Sequence, residues 1–509
     1  MQRFFTFMIA WFFIFPLKSQ SFDANWLYGY TDTLYGSMCG KVMVHHTDGG
    51  LEEIAVDSPL NFGRTMAAIS DSSGSLVLYT NGCAIANGDH EIIGDGLNPG
   101  ELHDRLCPGY GYNVPYGTYI LPFPGSDKMY AVIHLASAMD MTTRFIKYDK
   151  LYYSIVDMKA DGGRGAIIEK NVLLREGDME SVAVVRHGNG RDWWIFVPEY
   201  NSDIYHRYLL SPEGFEEYDD IVTGFDFPQE ICNYSANSMF SPDGTRYVRA
   251  NTNCGFVAFD FDRCTGEIFN PIYNEYHFSR YVSHSNIAIV PGNIMYIYLP
   301  RSYDKDIPRR HFKRYYWDWF LKIDMDLLGV EANFIEKRFK FTEEESVCKP
   351  YAFFSYNNGD LFYFDREEDG MFYRIPNAGI KGEEIKKEKL GNTIARNSMT
   401  IPAFPDYLLG AMEGSACDTL TSAVTMQSAG LTARIYPNPV TGRLNILIND
   451  DDEYTVTIYN TNSFAVMKAK IDTTDEYYGN WDISGLPAGI YIVELKSRDK
   501  VIRQKIIKL

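Results

Sequence analysis

Few stretches of this 509-residue chain set reactive side chains at a spacing that chemistry requires. "DREEDG" places Asp365, Glu367 and Asp369 at alternate positions before Gly370, as a calcium loop begins. Such a loop needs a bidentate Glu at its twelfth position. Here that position is Pro376, which cannot ligate through its side chain, so the stretch reads as an acidic hairpin tip. "NDDDEY", 449–454, reads the same way. His45 and His46 are adjacent; on a strand they point to opposite faces and cannot share one metal. There is no HExxH, no G-x-S-x-G elbow and no P-loop, and "YGSMCG" around Ser37 has the wrong spacing for an elbow. The sequence therefore predicts no catalytic residue, no cofactor and no metal.

Aromatic residues offer the better binding candidates. Trp193-Trp194 could form a sugar platform, but on a strand two adjacent rings face opposite sides, so at least one belongs to the core. "RRHFKRYYWDWF", 309–320, is the one basic, aromatic cluster on an acidic chain, and it follows what reads as a long loop. Loops carry binding function more often than scaffolds do, so Arg309, Arg310, Tyr315, Tyr316 and Trp317 form a possible ligand loop; the plainer reading is a loop packed by its own aromatics.

The elements that position these residues are strands. The chain is 45% hydrophobic and 15% aromatic, with 37 Tyr and 32 Phe, which favours pleated surfaces. One theme recurs: a polar turn with Gly, then a short aromatic or β-branched run. It stands as "SDSSGSLVLYTNG" (70–82), "PFPGSDKMYAVIH" (122–134), "RHGNGRDWWIFVPEY" (186–200), "SPDGTRYVRANTN" (241–253), "VPGNIMYIYLP" (290–300) and "YNNGDLFYFD" (356–365). The spacing suits one four-stranded unit each, and units that cannot bury both faces alone must stack. The expected fold is all-β: a β-propeller of about seven blades followed by a small β-sandwich. The seventh blade would join "NWLYGY…GKVMVHH" to the last strand, "NSMTIPAF". Tandem sandwiches are the rival, but units near 50 residues are too short for them.

Charge and termini bear on location. The formal net charge is −19, and residues 431–509 hold ten basic and ten acidic residues, so the acidity lies before them. A polyanion such as nucleic acid would be repelled. The start, "MQRFFTFMIAWFFIFPLKSQSF", has Arg3, twelve residues from Phe4 to Phe15 that are apolar except Thr6, then small and polar residues. That is a signal-peptide pattern over 1–20, too short to span a membrane. No transmembrane segment is expected after cleavage. Export permits disulfides among the eight cysteines. Cys83 and Cys107 bracket a Gly-rich loop that a staple would suit. Cys254 and Cys264 flank one strand and are too far apart to pair.

Residues 21–407 are thus the propeller, 408–430 a linker and 431–509 a separate unit. In that last unit, "YPNPV" is followed by strand-like runs, "LNILI", "YTVTIYN", "FAVMKAK", "GIYIVELK" and "VIRQKIIKL". "YPNPV" with "LNI", then "LPAGIYIVEL", then the basic "RQKIIKL" closely resemble the type A C-terminal sorting domain of the type IX secretion system of Bacteroidetes. "LYTNG", "NGRDWWIF" and "FDFDRCTGEI" resemble a family of exported Bacteroidetes propellers that carry such a tail. The resemblance implies export across both membranes, engagement of the type IX secretion machinery, removal of the tail, and release or surface attachment. Matching positions are Tyr436, Pro437, Asn438, Pro439, Gly489, Tyr491 and Lys505. The expected activity is binding of an extracellular glycan or protein. A propeller hydrolase or lyase acting on polysaccharide or peptide is the alternative, and a structural or motility role is a third.

Overall fold

The computed structural model describes residues 22–29, 41–47, 50–109, 111–139, 146–227, 236–251, 255–274, 286–302, 317–328, 335–340, 350–355, 359–365, 371–381, 388–392, 401–402, 404–412, 415, 417–418, 423–424, 433–436, 440, 442–448, 454–460, 465–471, 478–487, 489–497 and 501–508. Six consecutive antiparallel sheets fill the body. Sheet 1 holds Thr65–Ser70, Leu76–Thr80, Ala84–Asn87 and Ile92–Asp95; sheet 2 holds Thr118–Pro122, Met129–Met139, Ile146–Asp157 and Ala166–Met179. Sheet 3 runs from Ala183–Arg186 through Trp193–Pro198 and Ile204–Ser211 to Gly214–Val222. Sheet 4 spans Ala236–Phe240 to Glu267–Asn274, sheet 5 Asn286–Val290 to Ile335–Lys340, and sheet 6 Pro350–Ser355 to Glu388–Asn392.

First strands of sheets 1 and 2 touch, as do those of sheets 3, 4, 5 and 6 in series, and Trp193 of sheet 3 donates to the Pro122 carbonyl of sheet 2, so the sheets stand around an axis with their first strands innermost. The seventh sheet has three strands, all from the start of the body, and the late strand expected to join it is bonded to sheet 1 instead. Asn25–Tyr28, Val42–Thr47 and Gly50–Ala55 form one antiparallel unit. The two-residue strand Ile401–Pro402 touches the inner strand of sheet 6 and pairs in parallel with Thr65 and Met66 of sheet 1. It therefore fills the inner position between sheets 6 and 1. This is a propeller of seven sheets among the described residues.

Burial follows radius. Thr65–Ser70 and Trp193–Pro198 are buried along their whole length, because each sheet is covered on both faces. The outermost strand Gly214–Val222, "GFEEYDDIV", is largely exposed, which puts its acidic residues on the rim. Both Trp193 and Trp194 are core residues, at 0% and 1% exposure, so neither forms a sugar platform.

Each of the six Gly-bearing turns lies between the first and second strand of sheets 1 to 6. Their glycines, Gly74, Gly125, Gly190, Gly244, Gly292 and Gly359, all have φ between +67° and +88°. A tight hairpin there requires a left-handed residue. Since strands alternate in direction, these turns and the third-to-fourth turns share one end of the ring. The second-to-third connections and the links between sheets share the other.

The tail has a five-stranded sheet (Ala423–Val424, Val501–Lys508, Gly489–Lys496, Tyr454–Asn460, Ala465–Ile471, in spatial order) and a three-stranded one (Ala433–Tyr436, Arg443–Ile448, Tyr478–Asp482). Val440, Leu444, Ile446, Val456, Ile458, Val493, Leu495 and Ile506 make its own core. No helix among the described residues is long and apolar enough to cross a membrane.

Candidate functional site

In the tail, three separate stretches converge on one residue. Lys508, near the end of the chain, pairs with Gly489 and forms a parallel bridge with Val440. The motifs around "YPNPV", "LPAGIYIVEL" and "RQKIIKL" thus meet in space, with Lys508 buried at 6% exposure. Tyr491 is buried and donates its hydroxyl to the Pro487 carbonyl at 2.9 Å. Tyr436 ends its strand opposite Asn445, and Lys505 pairs with Ile492. Pro437, Asn438 and Pro439 lie outside the described residues.

At the turn-bearing end of the ring, the chain's own continuation packs along sheets 2 to 4. The described residues 404–412, 415, 417 and 418 run back along that end as a strap. The Tyr407 hydroxyl donates to the Ile120 carbonyl at 2.7 Å, and its ring packs against Phe22 and Trp193 at 5.7 and 6.0 Å. These partners belong to sheet 2, the lead-in to sheet 7, and sheet 3, so Tyr407 ties three elements together at that end. Further on, Met412 N–H donates to the Gly188 carbonyl at 2.8 Å. A disulfide then joins Cys417 to Cys264, in the last turn of sheet 4. Of the stretch read as a linker, residues 408–412 and Cys417 are in this way docked on the body.

The opposite end carries the connections between sheets, and there a polar cluster gathers around Tyr148. Arg64 and Tyr112 come from the links entering sheets 1 and 2, and Glu180 from the link entering sheet 3. Burial pushes the Tyr148 phenol up to about 12, with the Arg64 charge opposing and Glu180 adding to the shift. Tyr112 accepts from Ser137 N–H at 2.8 Å through its hydroxyl, and Ser137 pairs with Tyr148 across sheet 2. Asp149 is the extra residue of a bulge against Met129–Met139, a device that re-aims a side chain. Burial raises its carboxyl above the usual range, opposed by Lys150 and Lys147. Behind the cluster, Glu180 takes two hydrogen bonds from Arg249, at 2.7 and 2.8 Å, both side chains fully buried. Phenol, guanidinium and a perturbed carboxyl together suit a polar, hydroxyl- or carboxylate-bearing ligand.

One constellation imitates a catalytic triad. His134 Nδ1 lies 2.8 Å from Asn98 Oδ1, and its Nε2 lies 3.0 Å from Ser154 Oγ. All three residues are at most 1% exposed, and burial pushes the imidazole down to about 3. Ser154 also accepts from Asn171 N–H, and Asn98 donates to the Gly82 carbonyl. No substrate reaches this group, which is a satisfied buried network. Cys83, His103 and Cys107 also stand close together, but both sulfurs are joined in the Cys83–Cys107 disulfide.

Arg309, Arg310, Tyr315 and Tyr316 lie outside the described residues; Trp317 opens the strand Trp317–Asp324, its backbone opposite Ser302. That connection joins the second and third strands of sheet 5, which places its ends on the same side of the ring as the Tyr148 cluster. Glu367 and Asp369 are likewise outside the described residues, while Asp365 ends Leu361–Asp365.

Residues 434–509 match the family of secretion system C-terminal sorting domains. No curated protein matches the chain. Among solved structures, a candidate 6-phosphogluconolactonase from Bacteroides fragilis aligns at 12% identity over 74% of this chain and 97% of its own, with a TM-score of 0.39. One of the same description from Bacteroides uniformis aligns at 13% over 73% and 96%, TM-score 0.34. The Dos1 propeller aligns at 9% over 75% and 85%, TM-score 0.38. The seven-sheet assignment stands on the strand order and inner-strand contacts above.

Proposed function

We propose that the ring is a binding module exported for work outside the cell, and that its ligand meets the end opposite the strap. The tail is a sorting domain of the type IX kind, so the chain is addressed to the secreted or cell-surface fraction. One observation carries the binding reading: Tyr407 and the strap already occupy sheets 2 to 4 at one end of the ring, while Tyr148, Arg64 and Asp149 sit at the other. The ligand would be polar, a glycan or a peptide, because the cluster offers donors and a carboxyl rather than an apolar pocket. Arg309 to Trp317 would extend this surface.

The test is a glycan and peptide array probed with the full chain, with turnover assayed on every hit. Arg64→Ala and Tyr148→Phe are expected to weaken a true hit at least tenfold, about 1.4 kcal/mol. Hits unchanged by both variants would place the ligand elsewhere. Export is tested separately by replacing residues 434–509 with a tag; undiminished appearance outside the cell would sink the sorting role.

A further inference from the structure

The strap is held in the manner of a separate peptide. Its main chain is read by the ring: Arg186 Nη2 donates to the Tyr407 carbonyl at 2.9 Å and Arg263 Nη2 to the Gly410 carbonyl at 2.6 Å. With the bond from Met412 N–H to Gly188, three direct contacts go to backbone groups, the mark of peptide recognition by a groove. Two side chains give it register. Tyr407 fills the slot between Phe22 and Trp193, and Leu409 packs against the core of sheets 3 and 4.

The socket is organised by the ring's own groups. Arg186 stacks over Trp193 at 3.8 Å and donates to the Arg191 carbonyl at 2.9 Å. Arg263 donates to the carbonyls of Arg186 and His187 at 2.9 and 3.1 Å. Trp193 in turn donates to the Pro122 carbonyl at 3.1 Å. Such preorganisation lowers the ordering cost of an incoming segment. Burial depresses both guanidiniums to about 10. Poorly hydrated cations of this kind gain from a carbonyl acceptor.

We propose that residues 404–418 are an exchangeable ligand of this socket, and that the Cys264–Cys417 disulfide turns a reversible contact into a permanent one. Joined to the ring, the strap meets its socket at a high effective concentration. Without the disulfide it docks and releases, and the free socket accepts another extended peptide of the same pattern: a tyrosine, with carbonyls presented three residues apart.

Three full-length proteins test this: the oxidised wild type, Cys417→Ser, and Cys417→Ser with Tyr407→Ala. The probe is a fluorescent synthetic peptide of residues 404–418 carrying Ser at 417. The oxidised wild type is expected to refuse it. The double variant, whose own strap lacks its anchor, is expected to bind at least tenfold better than Cys417→Ser alone, and Arg263→Ala added to it to remove that gain. A folded double variant that ignores the peptide overturns the proposal. Hydrogen exchange of the single Cys417→Ser protein gives a second reading that does not depend on the double variant folding. Amides of 404–412 should exchange at least tenfold faster than in the wild type while sheets 3 and 4 stay protected. Unchanged strap protection, or loss of protection in those sheets together with the strap, overturns it as well.

Discussion

The hydroxyl of Tyr407 donates to the carbonyl oxygen of Ile120, 287 positions earlier in the chain. That bond fastens the last segment of the body to the inner strand of sheet 2. Removing the hydroxyl alone, in Tyr407→Phe, should cost about 1 kcal/mol. Removing the ring as well, in Tyr407→Ala, should cost about 3–5 kcal/mol, because a filled slot becomes a cavity. Chemical denaturation of the full chain measures both.

The two disulfides should differ in weight. Cys83–Cys107 closes a separation of 24 residues and Cys264–Cys417 one of 153. On the chain-entropy account, the longer loop constrains the unfolded chain by about 1.5 kcal/mol more. Single Cys→Ser variants, compared by denaturant midpoint, should rank in that order. Equal losses would point to an origin other than loop closure.

Stability should fall with rising pH in a mildly acidic window. Asp23, beside the strap, has its carboxyl raised to about 6, first by burial and also by the charge of Asp406, against a backbone hydrogen bond that opposes the shift. A raised carboxyl favours the folded state fully below the unfolded value near 4. That contribution is lost as pH climbs through about 6. Asp23→Asn should therefore raise the melting temperature at pH 7 and flatten the profile between pH 4 and 6. A profile unchanged by the substitution would remove Asp23 as its source.

Gly244 and Gly359 provide a matched pair. Both need a left-handed backbone, at φ +67° and +84°. A Cβ on Gly244 would come within 2.6 Å of Arg263 Cδ and 2.8 Å of Leu409 Cδ2, while one on Gly359 meets nothing within 4 Å. Gly359→Ala should cost about 1 kcal/mol in backbone strain. Gly244→Ala should cost more, and it should loosen the strap, seen as faster exchange at Met412.

Ser154 should behave as a structural residue. Ser154→Ala leaves His134 Nε2 and Asn171 N–H without their partner, at a cost of about 2 kcal/mol. A fluorophosphonate probe should leave Ser154 unlabelled in the native chain. Labelling that His134→Ala abolishes would make this a working nucleophile.

The ring was legible where local chemistry carries it. Each Gly-bearing turn announces itself because Gly74, Gly244 and their counterparts need a backbone angle few other residues adopt, and a strand follows at once. The tail was legible in the same way, although Ala433–Tyr436 and Tyr478–Asp482 went unread as strands: the first is short, and "YGNWD" carries turn-forming residues. The strap left no such trace. Its residues have no periodicity, and Ile120, Arg186 and Arg263 lie more than a hundred positions away. The Tyr148 cluster was hidden for the same reason. Arg64, Tyr112, Tyr148 and Glu180 lie on separate segments and meet only when three sheets assemble. Lys508 gains its role from Val440 and Gly489, which no spacing reveals.

The pairing of Ile401–Pro402 with Thr65 and Met66, far earlier in the chain, sets a timetable. A sheet made from both ends cannot form while the chain is still emerging, so the propeller stays an open, unfinished arc until its last strand arrives. Such long-range pairing is slow to find. The strap and tail follow that strand immediately, and so the delivery label is synthesised within moments of the piece that completes its cargo.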